Sequence, residues 1–235
     1  MAYKFTGNRN YEDFSGGRVI YHQPGFSNYP VRIASEIFQR CLEIIGEPMK
    51  VKIYDPCCGG GYLLTVLGLL HHDKIDTIFG SDVEVSAIEL ADKNLNLLTN
   101  SGLLKRTEEL ENMYNNYQKK SHLAAIMSAK KLSEYTRPTV DYRVFQRDIL
   151  DSTNVTGVVA DIIITDVPYG ELVNWSDESG NAIDRMLDNL YDNLSDNGVI
   201  AVSSDKSQKI TNPNYQRIKK IKIGKRKVEF LQKIM

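Results

Sequence analysis

The sequence predicts an α/β fold: a doubly wound, mostly parallel sheet that ends in an antiparallel ribbon and carries a helical insertion. Three observations predict it. Short apolar runs alternate with helical patterns from Val51 to Ser203, and such alternation packs as parallel strands with helices on the sheet faces. A triple glycine, Gly59-Gly60-Gly61, directly follows the first apolar run. Ile162-Ile163-Ile164 is uninterrupted by any polar residue, as in a central strand covered on both sides.

The elements follow in chain order. Residues 1–29 are rich in Gly, Asn and aromatics, with turn signals at Gly16-Gly17 and Pro24-Gly25. They predict an irregular arm with a short strand at Arg18–Tyr21. Ala34, Ile37, Phe38, Cys41, Leu42 and Ile45 form a helical stripe over 31–45 that Gly46 and Pro48 stop, so arm and helix span 1–46. Strands are expected at Val51–Tyr54, Thr77–Gly80, Val140–Gln146, Ile162–Thr165 and Val199–Ser203. Helices are expected at Tyr62–Leu70, Val85–Leu98 and Ala182–Leu194. Thr99–Thr139 is extra to this pattern. Its stretch from Lys105 to Tyr135 is highly charged and free of Pro and Gly, which predicts one or two surface helices inserted over 100–139. Arg217–Ile223 and Arg226–Ile234 flank Gly224-Lys225 and read as two strands around a tight turn.

Length and composition bound the classes. The 235 residues fit one domain with an insertion. No apolar run approaches the roughly 18 residues of a membrane span, and the polar start MAYKFTGNRNYEDF has no apolar core of a secretory signal. Cys41, Cys57 and Cys58 match neither a zinc spacing nor a disulfide framework, so a reducing, cytoplasmic setting is expected; a monomer is expected as well. Lys and Arg number 29 against 30 Asp and Glu, a balance that on its face argues against nucleic acid. It conceals an asymmetry. Residues 206–235 hold ten basic side chains and one acid, Glu229.

The stretch KIYDPCCGGGYLLT is a nucleotide-binding turn from strand to helix, where glycines admit a close ligand and the helix start offers free N–H groups. A dinucleotide fingerprint needs a small residue at position 64, which is Leu64. An S-adenosylmethionine loop, with an acid before the glycines, fits better. Asp55 is placed to pair with the methionine ammonium, and Asp82, ending the next strand, to accept from the ribose hydroxyls. Asp148 after the third strand suits the adenine amino group, with Ile149 as an apolar face. Cys57, Gly59, Gly60, Gly61 and Val83 complete the candidate cofactor set. Each acid taken alone also reads as a loop residue capping a helix.

The fourth strand runs into Asp166-Val167-Pro168-Tyr169-Gly170-Glu171, at the carboxyl end where open α/β sheets bind substrate. This resembles the (Asn/Asp)-Pro-Pro-(Tyr/Phe) signature of methyltransferases acting on planar nitrogen, with Val167 in place of the first Pro. Asp166 can accept an N–H or its proton. Tyr169 can stack on an extruded base, with Pro168 shaping the loop. Transfer from a sulfonium is an in-line displacement governed by positioning, and needs no metal. Pro56-Cys57 matches on paper the Cys nucleophile of pyrimidine C5 methylation, but it lies in the cofactor loop. His71 and His72 read as helix-end caps, and His22 and His122 as surface residues. Trp175 and the stretch Asn174–Asn181 read equally as a substrate lid or a surface loop.

With these residues in hand, the chain resembles the AviRa family of avilamycin-resistance ribosomal RNA methyltransferases. The likeness runs through Gly17-Arg18-Val19, Pro24-Gly25, Pro30-Val31-Arg32, Glu36 to Arg40, Asp55 to His71, Ser81-Asp82-Val83, Ala91 to Leu95, Thr165 to Glu171, Val199 to Val202 and Lys222-Ile223-Gly224. It is weakest over the insertion. The resemblance implies a Rossmann-like methyltransferase fold and S-adenosylmethionine as donor. It also implies methylation of a guanine base at N1 in large-subunit (23S-type) ribosomal RNA, with ribosomal RNA or the large subunit as partner. Methylation of guanine N2 or adenine N6, or a non-catalytic RNA-binding ribosome factor, stand as alternatives. Candidate RNA contacts are Arg18 and Arg32 in the arm and Lys219, Lys220, Lys222, Lys225, Arg226 and Lys227 in the tail. A solvated strand edge is the bland reading of that tail.

Overall fold

The computed structural model describes residues 3–26, 28–135, 140–153, 156–167, 182–223 and 226–234. Seven strands form one sheet: β1 (Val51–Asp55), β2 (Ile75–Asp82), β3 (Asp141–Gln146), β4 (Ala160–Asp166), β5 (Leu194–Asp205), β6 (Tyr215–Ile223) and β7 (Arg226–Lys233). Their order is β3-β2-β1-β4-β5-β7-β6. The first five run parallel, and β7 pairs antiparallel with both β5 and β6. The chain leaves β1 toward one edge and returns through β4 toward the other. The carboxyl ends of β1 and β4 therefore open side by side, at the point where such sheets bind ligands.

The side-chain period of two sorts the strand residues onto two faces. Ile162 and Ile164 join one buried cluster and Ile163 the other, which is why the central strand tolerates no polar residue. The first face is covered by α1 (Val31–Ile44), α2 (Tyr62–Leu70), α3 (Val85–Asn96), α4 (Asn100–Tyr117) and α5 (Lys120–Leu132). The second is covered by α6 (Ala182–Asn189), through Ile183, Met186 and Leu187.

Four expectations need correction. Arg18–Tyr21 is not a strand: Gly17 turns the chain at φ 81°, and the carbonyls of Arg18 and Val19 accept from the Arg106 guanidinium instead of a neighbouring strand. The helix expected to reach Leu194 ends at Asn189; a 3-10 turn follows at Tyr191–Asn193, and Leu194 already pairs with Ala160 in the sheet. The insertion is two helices, α4 capped by the Thr99 hydroxyl on the Gly102 N–H, but they are more than a surface feature. Leu103, Leu110, Ala125, Ile126, Ala129 and Leu132 belong to the main core. His71 occupies the C-cap of α2, yet burial pushes its pKa down to about 4. It sits there as a neutral ring bonded to the Ser35 hydroxyl at 2.9 Å, not as a cation against the helix end. Cys41 lies in the core, fully buried.

Candidate active site

A cleft of about 580 Å³ opens over the carboxyl ends of β1, β2 and β4, within the range of small-molecule sites. Its floor is the loop from β1 to α2. Gly61 starts α2 at φ 71° and Gly59 has φ 50°, a region that side chains disfavour. A Cβ on Gly61 would meet the Ala91 backbone at 2.9 Å, so the loop can lie this close to α3 only as glycine. Asn94 of α3 fixes the loop, donating to the Gly60 carbonyl at 2.8 Å while its own oxygen accepts the Tyr21 N–H at 2.8 Å.

Among the described residues five acids line the cleft: Asp55, Asp82, Glu84, Asp148 and Asp166. Asp55 is 2% exposed; burial pushes its pKa up to about 7, the Cys57 N–H opposes the rise, and the charges of Asp82 and Asp166 add to it. The Cys57 N–H donates to Asp55 at 3.1 Å. Asp82 accepts from the Gly59 N–H at 2.9 Å and the Glu84 N–H at 3.1 Å, which fixes its carboxylate facing the glycine loop. Burial also raises Asp166, while Arg226 and the Ser203 hydroxyl oppose the rise. Asp148 closes its own turn through the Leu150 N–H at 2.9 Å, beside buried Ile149.

Asp55, Cys57, Gly59, Gly60, Asp82, Val83, Asp148, Ile149 and Asp166 all line this one cleft, and Gly61 shapes it from behind. Pro168, Tyr169, Trp175, the stretch Asn174–Asn181 and Lys225 lie outside the described residues. Burial holds the Cys57 and Cys58 thiols well above the usual range, with Asp55 and Asp82 adding to it. They are therefore poor nucleophiles.

The basic candidates divide. Lys227 is corrected: it is 3% exposed, and its ammonium donates to Glu229 at 2.8 Å and to the Gln208 carbonyl, so it does not face an RNA. Arg226 lies in the cleft, 3.4 Å from Asp166. Arg18 pairs with Glu12. Arg32 donates to the Thr6 carbonyl at 3.0 Å and lies over the Tyr3 ring. Lys219 and Lys220 sit 3.8 Å from Glu43 and Glu229, while Lys222 is exposed. Sequence reasoning missed Gly25, Phe26 and Tyr29 of the arm, Arg147, and Arg226 as a cleft residue. Only the pairing of distant segments brings them there.

The sequence model of the rRNA methyltransferase AviRa matches residues 1–226. The chain belongs to the AviRa family of rRNA methyltransferases. A 23S rRNA (guanine(2535)-N(1))-methyltransferase of Streptomyces viridochromogenes is 36% identical over 222 residues, covering 91% of this chain and 88% of that protein. Two solved structures of AviRa from the same organism share the fold. One has a TM-score of 0.85 at 34% identity, covering 97% of this chain and 94% of the other. The second has a TM-score of 0.86 at 33% identity, covering 96% and 93%. The family's Rossmann-like methyltransferase fold is thus the fold of this chain. Among the described residues no helix is long and apolar enough to cross a membrane.

Proposed function

We propose that this AviRa-family chain methylates N1 of a guanine in large-subunit ribosomal RNA, with S-adenosylmethionine as donor. One observation carries the reading: a largely buried carboxylate at the end of β4, Asp166, borders the same cleft as the glycine loop, Asp55 and Asp82. The residues fit the donor. Asp55 meets the amino-acid ammonium, Asp82 the ribose hydroxyls, and Asp148 with Ile149 the adenine. Glycine at 60 and 61 lets the loop lie against Leu90 and Ala91 of α3, where a Cβ would clash, and so sets the floor on which the donor rests. The donor supplies an activated methyl group on sulfur. Asp166 then faces the base. Guanine N1 carries a proton and is a poor nucleophile until it is lost, so an acceptor in a dry site is what this atom needs. The Streptomyces viridochromogenes relative, a 23S rRNA (guanine(2535)-N(1))-methyltransferase, supports the same choice of atom. The exposed lysines of the β6–β7 ribbon supply phosphate contacts beside the cleft.

The test is transfer of labelled methyl to ribosomal RNA, followed by primer extension. N1 methylation blocks base pairing and stops reverse transcriptase at one guanine; label without a stop points to ribose or a single N2 methylation and rejects the reading. Asp166→Asn is expected to bind donor normally and lose methyl transfer by about 10²-fold or more, the usual reach of a general base. Full activity in that variant removes the base role.

A further inference from the structure

The last strand carries a cation into the cleft. Arg226 opens β7, pairs in register with Asp205 of β5, and lies two residues from the rung at which Ser203 meets Asp166 of β4. Its Nε stands 3.4 Å from Asp166 Oδ1, and its terminal nitrogen 3.5 Å from Oδ2. Both side chains are largely buried. The guanidinium lies 5.3 Å from the centre of the Tyr29 ring. The Tyr29 hydroxyl donates to Ser203 Oγ at 3.1 Å, so the arm, β5 and β7 together fix the cation beside the carboxylate. The contacts to Asp166 are longer than the 2.7–2.9 Å of a tight charge-assisted bond. The pair is close enough to interact electrostatically and open enough for a third group to bond both partners.

We propose that Asp166 and Arg226 act as one acceptor–donor couple that reads the N1–H and C6=O edge of the target guanine, Asp166 accepting from N1–H and Arg226 donating to O6. This rests on the reading of Asp166 as the N1 proton acceptor. The chemistry balances. The N1 proton moves to the Asp166 carboxylate, and the electron pair it leaves on N1 forms the bond to the methyl carbon. The carbon–sulfur bond breaks with its pair kept by sulfur, which becomes a neutral thioether. Loss of the N1 proton spreads negative charge onto O6, where a guanidinium N–H is worth most in a site shielded from water. Adenine presents the opposite edge, an acceptor at N1 and a donor at the amino group. It would set its lone pair against the carboxylate and its N–H against the cation. The couple therefore selects guanine as well as activating it.

Among the described residues the groups facing Asp166 include Arg226 from β7, the Ser203 hydroxyl from β5, and the charge of Asp55 across the floor from β1. Removing Arg226 leaves a buried carboxylate beside another acid, which favours its protonated form. Arg226→Gln is expected to lower the turnover by about 10²-fold and to move the acidic limb of the pH–rate profile to higher pH. Donor affinity by calorimetry should stay within about twofold, since no donor contact is assigned to Arg226. Arg226→Lys restores the charge, and with it the position of the limb, but recovers the rate only in part, because an ammonium lacks the planar fork. If thermal melting shows Arg226→Gln to be unfolded, Arg226→Lys alone decides the matter through its rate and profile. A parent chain that stops reverse transcriptase at no guanine is a failure of the guanine reading. A parent that does so, with both variants keeping parental rate and acidic limb, is a failure of the couple.

Discussion

At the scale of single residues, burial at the cleft floor sets the protonation of Asp55. Asp55 is almost wholly buried, and its pKa is pushed up to about 7 from 3.8. The folded value lies above the unfolded one, so the carboxyl favours the fold below the unfolded value. That contribution is lost as pH rises through about 7. An ammonium in the cleft reverses the preference, because it favours the ionised form. Donor affinity measured by calorimetry should therefore tighten as pH rises through 7. Asp55→Asn should bind weakly at every pH and, empty, melt higher than the parent on the alkaline side. A parent whose donor affinity is flat across that window does not use Asp55 as the ammonium partner. Cys57 tests the opposite case. Its thiol is held protonated by burial and neighbouring acids, so Cys57→Ser should retain methyl transfer within a few-fold.

At the scale of elements, the N-terminal arm is held by interactions that tie it into the cleft wall. Glu36 of α1 is fully buried. It accepts the backbone N–H groups of Lys4, Phe5 and Thr6 at 2.7, 2.9 and 3.0 Å and pairs with Arg40. Burial would raise its pKa, but these donors outweigh it and hold the carboxyl below the usual range. This contribution is present above the unfolded value of 4.5 and is lost as pH falls through the lower folded one. Further along, the Tyr62 hydroxyl holds the Phe14 carbonyl at 2.8 Å, and Arg106 of α4 spans Val19 and Glu109. Asn94 joins Tyr21 to the glycine loop. Asn94→Ala leaves buried backbone groups unpaired, and should cost about 1–3 kcal/mol in denaturant unfolding. It should also weaken donor binding, because Gly60 loses its anchor. Glu36→Gln removes the carboxylate that pairs with Arg40 and should cost about 3–5 kcal/mol, with earlier proteolysis at the arm. An equal loss of stability with donor affinity untouched in Asn94→Ala would separate arm from cofactor loop.

What the sequence discloses of these elements follows their range of interaction. The glycine loop, the triple-Ile strand and the acids at strand ends are local patterns, set by φ, by period and by the neighbours in the chain. They were legible with boundaries close to those observed. The arm is not, because its hydrogen bonds go to residues of six different elements and carry no period. Arg226 is not either: it reaches Asp166 across 60 residues, and only the antiparallel return of β7 along β5 brings them together. Read in sequence, it is one more cation in a basic run.

At the scale of the whole molecule, the run itself is distributed by the fold. Residues 206–235 hold ten cations and one acid, but the sheet partly neutralises them. Glu229, 1% exposed, gathers Arg217, Lys220 and Lys227; Lys219 lies near Glu43; Arg226 serves the cleft. Exposed cations include Lys206, Lys209 and Lys222. The net charge of the tail thus overstates what it offers to a polyanion, and the effective contacts are fewer than the residue count. Counterion release gives this a measurable form, since each phosphate contact adds about 0.7–0.9 to the slope of log affinity against log salt. Neutralising Lys206, Lys209 and Lys222 together should flatten the slope for ribosomal RNA by about two. Neutralising Lys219 and Lys220 should change it less, because each already shares a carboxylate. Arg217→Gln should instead lower the melting temperature, by releasing one partner of a buried acid, and leave the slope nearly as it was. Equal slopes for all three variants would place the RNA on another face of the molecule.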